Sequence, residues 1–190
     1  AFKMDASGTL IQIDDSLQRQ GSFRIDTGSY NLELILGMLD KKQRDMLELP
    51  YGMELKGEVS FKKDAYKTNL TFKEDKALVK LDGAYQSQSE DYQITVSIDS
   101  LQPNHFMPKD SLYWLTASAA IKGKGFDLYS ARTSSLLQAT ISDIKYGRNS
   151  VSEIQLNGRL KNHAYELQLE SGYPLALLKA SVSGILQRKK

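Results

Sequence analysis

The side chains of this sequence that could do chemistry are few and widely separated. His105 and His163 are the only histidines, and neither has a second ligand at a metal-binding spacing. Acidic pairs occur at Asp14-Asp15 and Glu90-Asp91, but adjacent strand residues point to opposite faces and both pairs lie in turn-like surroundings. Cysteine is absent, which removes thiol catalysis, disulfides and thiolate metal sites. We therefore predict no catalytic residue, no metal site and no cofactor, and a protein that is not an enzyme.

Known catalytic and nucleotide-binding motifs are also missing. The segment "GKGFDL" at 123–128 begins like a phosphate-binding glycine loop, but it lacks the third glycine or the Lys-Ser/Thr pair, and strand-like residues follow it. No Gly-x-Ser-x-Gly elbow is present. A carbohydrate-active enzyme remains a third possibility, weakened because no carboxylate pair is evident at strand ends.

The composition favours one β-rich domain over residues 1–190. Of the 190 residues, 41% are hydrophobic, so the chain can bury a core. The net charge is +2 with both signs interspersed, which argues against a nucleic-acid partner. The longest apolar run, at 32–39, is too short to span a bilayer and is interrupted by Glu33. The sequence starts without an initiator methionine or signal peptide, and we interpret it as an internal fragment of a longer chain.

A repeat centred on glycine organises most of the sequence. The stretches from Met53, Val79 and Ile154 each read apolar-x-Leu-x-Gly-x-apolar, followed by a polar patch and then Tyr-x-x-x-apolar. The spacing from Gly57 to Gly83 is 26 residues, which is typical of an array of supersecondary units. Partial copies surround Gly8 and Gly184. The alternative, which is chance similarity between alternating strands, stays open at this point.

The period-two rule places every repeat glycine on the apolar face of its strand. The returning strands also alternate, with Tyr66, Tyr92 and Tyr165 on their apolar faces. The lining residues that we predict are Leu55, Gly57, Val59, Val79, Leu81, Gly83, Tyr85, Ile94, Val96, Ile98, Leu156, Gly158, Leu160, Leu167 and Leu169. We expect the repeat glycines, and the small residues of a further predicted hairpin between Leu115 and Ile141, to hold space open on the same face.

The dipeptide Asp82-Gly83 resembles a hairpin turn, but the repeat argues against a turn there. Only the glycine recurs among the copies, and the alternation continues through it. We expect the turns in the polar patches "KKDA", "SQSED" and "KNHA". A glycine inside a strand then marks a bulge, a bend or a close approach.

One segment departs from the strand pattern. Leu32, Ile35, Leu36 and Leu39 lie at helical spacing, and Met46 and Leu47 continue the stripe before Pro50, so residues 31–48 are predicted to form an amphipathic helix. We expect this helix to pack on the sheet or cap one end of it. Binding to a membrane surface is the alternative, which the mixed charges of the polar face disfavour.

These features together resemble a known family. The glycine-centred hairpins, the segment "LTASAAIKGKGFD" after "FMPKDSL", and the recurring "IDDSL" and "IDSL" resemble the AsmA-like family, which includes the translocation and assembly module subunit TamB. The resemblance implies an elongated, curved antiparallel sheet with an open apolar groove. It also implies a periplasmic location, with an inner-membrane anchor that this sequence lacks, and an Omp85-type outer-membrane partner of the full-length chain.

The resemblance and the alternation suggest the same function by different routes. We expect a non-enzymatic segment of a lipid conduit, in which the apolar groove shields phospholipid acyl chains during transport to the outer membrane. The alternative is a structural or adhesive β-domain of a cell-surface protein, in which the apolar face is an ordinary closed core. An isolated fragment has two alternatives, to keep its groove open or to cover it by dimerising, because exposed apolar faces and free edge strands favour association. The lipid, the direction of transport and the oligomeric state do not follow from the sequence.

Overall fold

The computed structural model describes residues 2–15, 18–29, 40–44, 46–48, 50, 52–172 and 177–187. Its described residues form eleven antiparallel strands in one sheet, and the order of the strands in the sheet is their order in the chain. The strands are β1 (Phe2–Ile11), β2 (Gln20–Ser29), β3 (Met53–Lys62), β4 (Ala65–Glu74), β5 (Ala77–Gln86), β6 (Asp91–Leu101), β7 (Leu112–Lys124), β8 (Ser134–Tyr146), β9 (Asn149–Lys161), β10 (Ala164–Ser171) and β11 (Leu178–Ile185). The prediction of a mainly β, antiparallel, open sheet is confirmed.

Short turns of two to four residues join five of the ten consecutive strand pairs. Lys63 begins the β3–β4 turn and Asp75 begins the β4–β5 turn, both with positive φ, and Asn162 and His163 have positive φ in the β9–β10 turn. Residues 87–90 form the β5–β6 turn. The three polar patches are therefore turns, as predicted. Gly83 lies inside β5 and pairs with Thr68 and Ile94, so the chain does not turn at Asp82-Gly83.

The register of the eleven strands produces two chemically different faces. On one face, four successive rows of directly opposite residues cross the whole sheet, and no charged residue occurs in any of them. We call this the apolar face and number its rows 1 to 4. Row 1 runs from Met4 to Leu178, row 2 from Ala6 to Ala180, row 3 from Gly8 to Val182, and row 4 from Leu10 to Gly184. The opposite face, called the polar face, carries most of the Lys, Arg, Asp and Glu residues of the strands.

The sheet has little buried core among the described residues. Its buried hydrophobic side chains are Met53, Ala77 and Leu160, and no described element forms a second layer across the sheet. The solvent-accessible surface of the chain is 13421 Å², whereas a compact monomer of 21.3 kDa exposes about 9,100 Å². The larger surface area is explained by a single layer of strands that exposes both of its faces.

The amphipathic helix predicted over residues 31–48 is not supported. Of that range, residues 40–44 and 46–48 are described, and they contain one helical turn, α1 (Lys41–Arg44). Leu32, Ile35, Leu36 and Leu39 lie outside the described residues, as does the apolar stripe that they would form. Charged residues such as Lys41 and Lys42 make up the described turn, so it presents no apolar face to the sheet.

Within the part of the chain that the structure describes, no helix has the length and apolar character required to cross a membrane.

Candidate functional site

The structure places every predicted lining residue on the apolar face. Leu55, Val79 and Ile98 are in row 1, and Tyr85 and Leu160 are in row 4. Row 2 contains Gly57, Leu81, Val96, Leu156 and Leu169, and row 3 contains Val59, Gly83, Ile94, Gly158 and Leu167. Residues from strands that are more than 100 positions apart in the sequence therefore lie in the same rows.

The apolar face is larger than the apolar patches of ordinary soluble proteins. Eleven strands at about 4.8 Å spacing extend roughly 48 Å, and rows 1 to 4 extend roughly 20 Å along the strands. The resulting footprint is on the order of 1,000 Å², compared with about 300–600 Å² for the largest patch on a typical monomer. Patches of this size are typical of binding surfaces for proteins, lipids or membranes.

Aromatic rings form a continuous stretch of row 4. The ring centroids of Phe61 and Tyr66 are 6.1 Å apart, and those of Tyr66 and Tyr85 are 6.0 Å apart. Tyr92 is the next residue in the row, directly opposite Tyr85. Ring pairs at these distances add to the stability of neighbouring strands beyond the area that they bury.

The glycines of the apolar face do not leave gaps in it, contrary to our expectation that they hold space. Phe23 lies over Gly8, where an added Cβ would be 2.7 Å from the ring carbon Cδ1. Tyr165 lies over Gly184 in the same way, with its hydroxyl oxygen 2.7 Å from the added Cβ. In both cases the covering residue is directly opposite the glycine on the neighbouring strand. Each glycine therefore accommodates a large neighbour, which is the arrangement known as aromatic rescue.

The aliphatic rows use the same arrangement. Leu70 lies over Gly57, and Gly158 is flanked by Leu167 and Leu137, whose nearest side-chain carbons would be 3.0 Å and 3.3 Å from an added Cβ. Gly83 is the most accessible of these positions, since only the Thr68 methyl group is close, at 2.8 Å. The face is consequently smooth, with neighbouring side chains filling the positions that lack one.

Two loops place phenylalanine rings at opposite ends of the apolar face. Phe106, in the loop after β6, packs on Phe72 of row 1 with ring centroids 5.9 Å apart. Phe126, in the loop after β7, stacks on Tyr92 of row 4 at 5.1 Å and also contacts Tyr85 at 5.5 Å. The central strands are therefore covered at both strand ends, while rows 2 and 3 between them stay uncovered by these rings.

A buried polar pair secures the loop that carries Phe106. His105 Nδ1 donates to Glu74 Oε1 at 2.9 Å, and Glu74 is only 3% exposed at the end of β4. Its second oxygen, Oε2, is buried and has no hydrogen-bond partner among the described residues. The backbone N–H of Glu48 also donates to the Phe106 carbonyl at 2.8 Å. Since a buried carboxylate needs partners, the Glu74–His105 contact ties the loop to the sheet.

Ion pairs between β2 and β3 characterise the part of the polar face near the β1 edge of the sheet. Arg24 lies 3.3 Å from Glu58, and Lys56 lies 3.8 Å from Asp26, all on exposed side chains. At the edge, the hydrogen bond from Lys3 to Asp5 raises the pKa of the Lys3 ammonium group. At the other edge, Glu170 raises the pKa of Lys179 in the same way. Exposed pairs of this kind contribute little to stability.

Depressions formed by described residues lie over the polar face, opposite to the predicted lipid-binding face. Five of them, with volumes from about 420 to about 760 Å³, are lined mainly by polar-face residues such as Lys122, Gln138, Asn157 and Arg159. Long polar side chains stand apart and leave hollows, whereas the apolar rows pack side by side. A ligand of the apolar face would therefore lie along a smooth strip and would not be enclosed in a cavity.

The reactive residue types considered from the sequence are not brought together. His163 Nε2 donates to the Tyr129 carbonyl oxygen at 2.7 Å, far from the His105–Glu74 pair in the sheet order. Among the described residues, no group of three or more His, Asp and Glu side chains is arranged to hold a metal ion. The segment 123–128 ends β7 and enters a loop, and no helix follows it.

Sequence reasoning missed two groups of residues that the structure brings to notice. The first consists of Phe106 and Phe126, which occur in loops where alternation carries no information. The second is a set of four cations, Lys122, Lys124, Arg159 and Lys161, at one end of the polar face. Their signal was present as basic residues two positions apart in each of two strands, but only the register shows that the pairs are neighbours.

Comparison of the chain with protein-family models, with curated proteins and with solved structures finds no significant match. The resemblance to the AsmA-like family therefore stays a prediction from the residues quoted for it.

Proposed function

We propose that this chain is a non-enzymatic segment of a lipid-handling protein, in which the apolar face shields phospholipid acyl chains. The observation that carries the proposal is the uninterrupted set of four uncharged rows across eleven strands, on a face that no second layer of described strands or helices covers. A protein whose apolar face served only as core would gain its stability by covering that face.

The smoothness of the apolar face supports an acyl chain as its ligand. An acyl chain has no hydrogen-bonding groups and gains about 0.8 kcal/mol for each methylene removed from water. Rows without charges and without deep pockets offer many equivalent contacts and no fixed stopping point. Such a surface holds a lipid tail while allowing it to move from one strand to the next.

Curvature of the sheet belongs to the same proposal. Twisted open sheets rarely exceed about ten strands without curling, and this sheet has eleven. We propose that it curves around the apolar face, as an elongated groove of repeated hairpins. The covered glycines support this, because large residues opposite small ones let the strands approach closely on that face.

We base the proposed setting of this segment on its resemblance to the AsmA-like family. That setting is the periplasm, with an Omp85-type outer-membrane protein as partner. The function there is transport of lipid to the outer membrane and support of its assembly.

The competing function is a structural or adhesive β-domain with a closed core. It requires a second layer over rows 2 and 3, and the two phenylalanine loops reach only rows 1 and 4. Lipid occupancy of the purified protein separates the two functions, since a closed core has no room for acyl chains.

The test is extraction of the purified protein with organic solvent and detection of phospholipid by mass spectrometry. The variant Gly83→Arg introduces a charge in row 3, at the position where only Thr68 is close. The matched control, Ala84→Arg, adds the same charge at the next residue on the polar face. We expect the wild type and Ala84→Arg to carry phospholipid, and Gly83→Arg to carry roughly tenfold less, equivalent to about 1.4 kcal/mol.

A second pair of variants guards against misfolding of Gly83→Arg. Ile94 is an exposed residue of row 3, so Ile94→Lys is tolerated by the fold, and Gln93→Lys is its control on the polar face. Circular dichroism checks the strand content of all four variants. A lipid-free wild type, or equal lipid in apolar-face and polar-face variants, would count against the proposal.

A further inference from the structure

A compact cluster of cations occupies one end of the polar face. Lys122 and Lys124 belong to β7, and Arg159 and Lys161 belong to β9, with β8 between them. All four side chains are exposed. We call these residues the basic cluster.

The register brings the basic cluster into a near-rectangular arrangement. Leu136 of β8 is paired with Lys122 on one side and Arg159 on the other, and Ser134 is paired in the same way with Lys124 and Lys161. Neighbouring strands are about 4.8 Å apart and alternate residues about 7 Å apart, so the backbone positions span roughly 10 Å by 7 Å. Flexible Lys and Arg side chains can converge on one small group over this area.

The four cations of the basic cluster form no ion pair with a described residue, unlike Lys3, Arg24 and Lys56. In β1 to β3, the cations Lys3, Arg24 and Lys56 each have a carboxylate within 4.0 Å. None of the four cations of the basic cluster has such a contact with any described residue, although Asp91 is directly opposite Lys124 and Glu166 is directly opposite Arg159. Four neighbouring cations repel one another, and a bound anion relieves that repulsion.

The surface at the basic cluster is concave. A depression of about 760 Å³ is lined by all four cations, by Ser134 and Ser135, and by Asp91. Its volume lies within the range of small-molecule sites. The Ser134 hydroxyl adds a hydrogen-bond donor on the line between Lys124 and Lys161.

We propose that the basic cluster is a binding site for a phosphate group, either free or as a phosphate ester. Arg forms bidentate hydrogen bonds with phosphate oxygens, and Lys binds them as a point charge, so the arrangement matches the geometry and the charge of this anion. The site lies on the face opposite to the proposed lipid-tail surface and does not depend on that function.

The experiment titrates the whole chain with inorganic phosphate and follows binding by calorimetry, at about 0.15 M salt so that nonspecific attraction is screened. We expect saturable binding, and roughly tenfold weaker binding for the double variant Lys122→Gln/Arg159→Gln. The control Lys67→Gln/Lys73→Gln removes two exposed cations from β4 on the same face and is expected to bind like the wild type. If the double variant unfolds, the single variant Lys161→Gln replaces it, and we expect its affinity for phosphate to fall by about threefold.

A second arm distinguishes the source of the phosphate. Vesicles of phosphatidylcholine with and without phosphatidylglycerol are sedimented with the protein, in the presence and absence of inorganic phosphate. Binding to the anionic vesicles that phosphate displaces assigns a lipid headgroup, and phosphate binding without vesicle binding assigns a free phosphate or soluble ester. A Kd for phosphate above about 10 mM would overturn the proposal, and so would an equal loss of phosphate affinity in the cluster and control variants.

Discussion

The two faces of this sheet are made by the same strands, yet they are organised by different interactions. On the apolar face, residues directly opposite each other are matched in size, so that a glycine pairs with Phe23, Tyr165 or Leu70. On the polar face, β2 and β3 are joined by ion pairs between opposite charges, whereas the cations of the basic cluster form no ion pair with a described residue. Apolar side chains that are matched in size produce a smooth strip, whereas long polar side chains stand apart and leave hollows. The two faces are therefore suited to different ligands.

Glycine provides the most direct comparison of the faces. Gly57 is on the apolar face with Leu70 lying over it, and the Asn69 carbonyl oxygen would be 2.7 Å from an added Cβ. Gly28 is on the polar face, and nothing lies within 4 Å of its added Cβ. The same residue type therefore permits close approach on one face and leaves open space on the other.

The largest expected effect follows from this difference. Gly57→Ala should lower the free energy of unfolding by about 2 kcal/mol, because the new methyl group meets both Leu70 and backbone. Gly28→Ala should change stability by less than about 0.5 kcal/mol or raise it slightly, since Ala loses less backbone entropy than Gly. Urea denaturation of both variants measures the difference. Equal destabilisation would show that size matching is not specific to the apolar face.

An intermediate effect is expected at the end of row 4. Phe126 is 62% exposed but stacks on Tyr92, so Phe126→Ala should cost about 1 kcal/mol of stability and increase the binding of an apolar fluorescent dye. Leu128→Ala, at another exposed residue of the same loop, is the control and should leave dye binding unchanged. If dye binding does not increase in Phe126→Ala, the ring does not limit access to the apolar face.

The smallest effect is expected on the polar face. Arg24 and Glu58 form an exposed ion pair, and a double-mutant cycle with Arg24→Gln and Glu58→Gln should give a coupling below about 0.5 kcal/mol. The coupling should fall further as salt is raised, because the pair is screened. A coupling well above about 1 kcal/mol, or one independent of salt, would mean that the polar face contributes to stability as the apolar face does.

The strands and turns of the fold could be predicted because they depend on local signals. Alternation through Gly83 identified β5 as a single strand, and polar patches such as 87–90 identified the turns. The helical stripe at 31–48 was a weaker inference, because a short apolar periodicity has several structural outcomes. In the described part of that range, one turn of helix, Lys41–Arg44, is all that forms.

The candidate site could be predicted only in part. The face on which Leu81 or Leu167 lies follows from alternation, but the ring of Phe126 over Tyr92 does not, because it depends on the path of a loop. The buried Glu74–His105 contact was likewise not predictable, since the two residues are 31 positions apart in the sequence.

The sequence by itself determined that this protein has an apolar and a polar side, because side chains alternate with a period of two along every strand. It also determined that the repeat glycines fall on the apolar side. Only the tertiary structure decided which residues are neighbours, such as Leu137 and Leu167 around Gly158, or Lys122 and Arg159 around Leu136. The physical reason is that alternation is unchanged when one strand slides past another by two residues, whereas turn lengths and backbone hydrogen bonds select a single register.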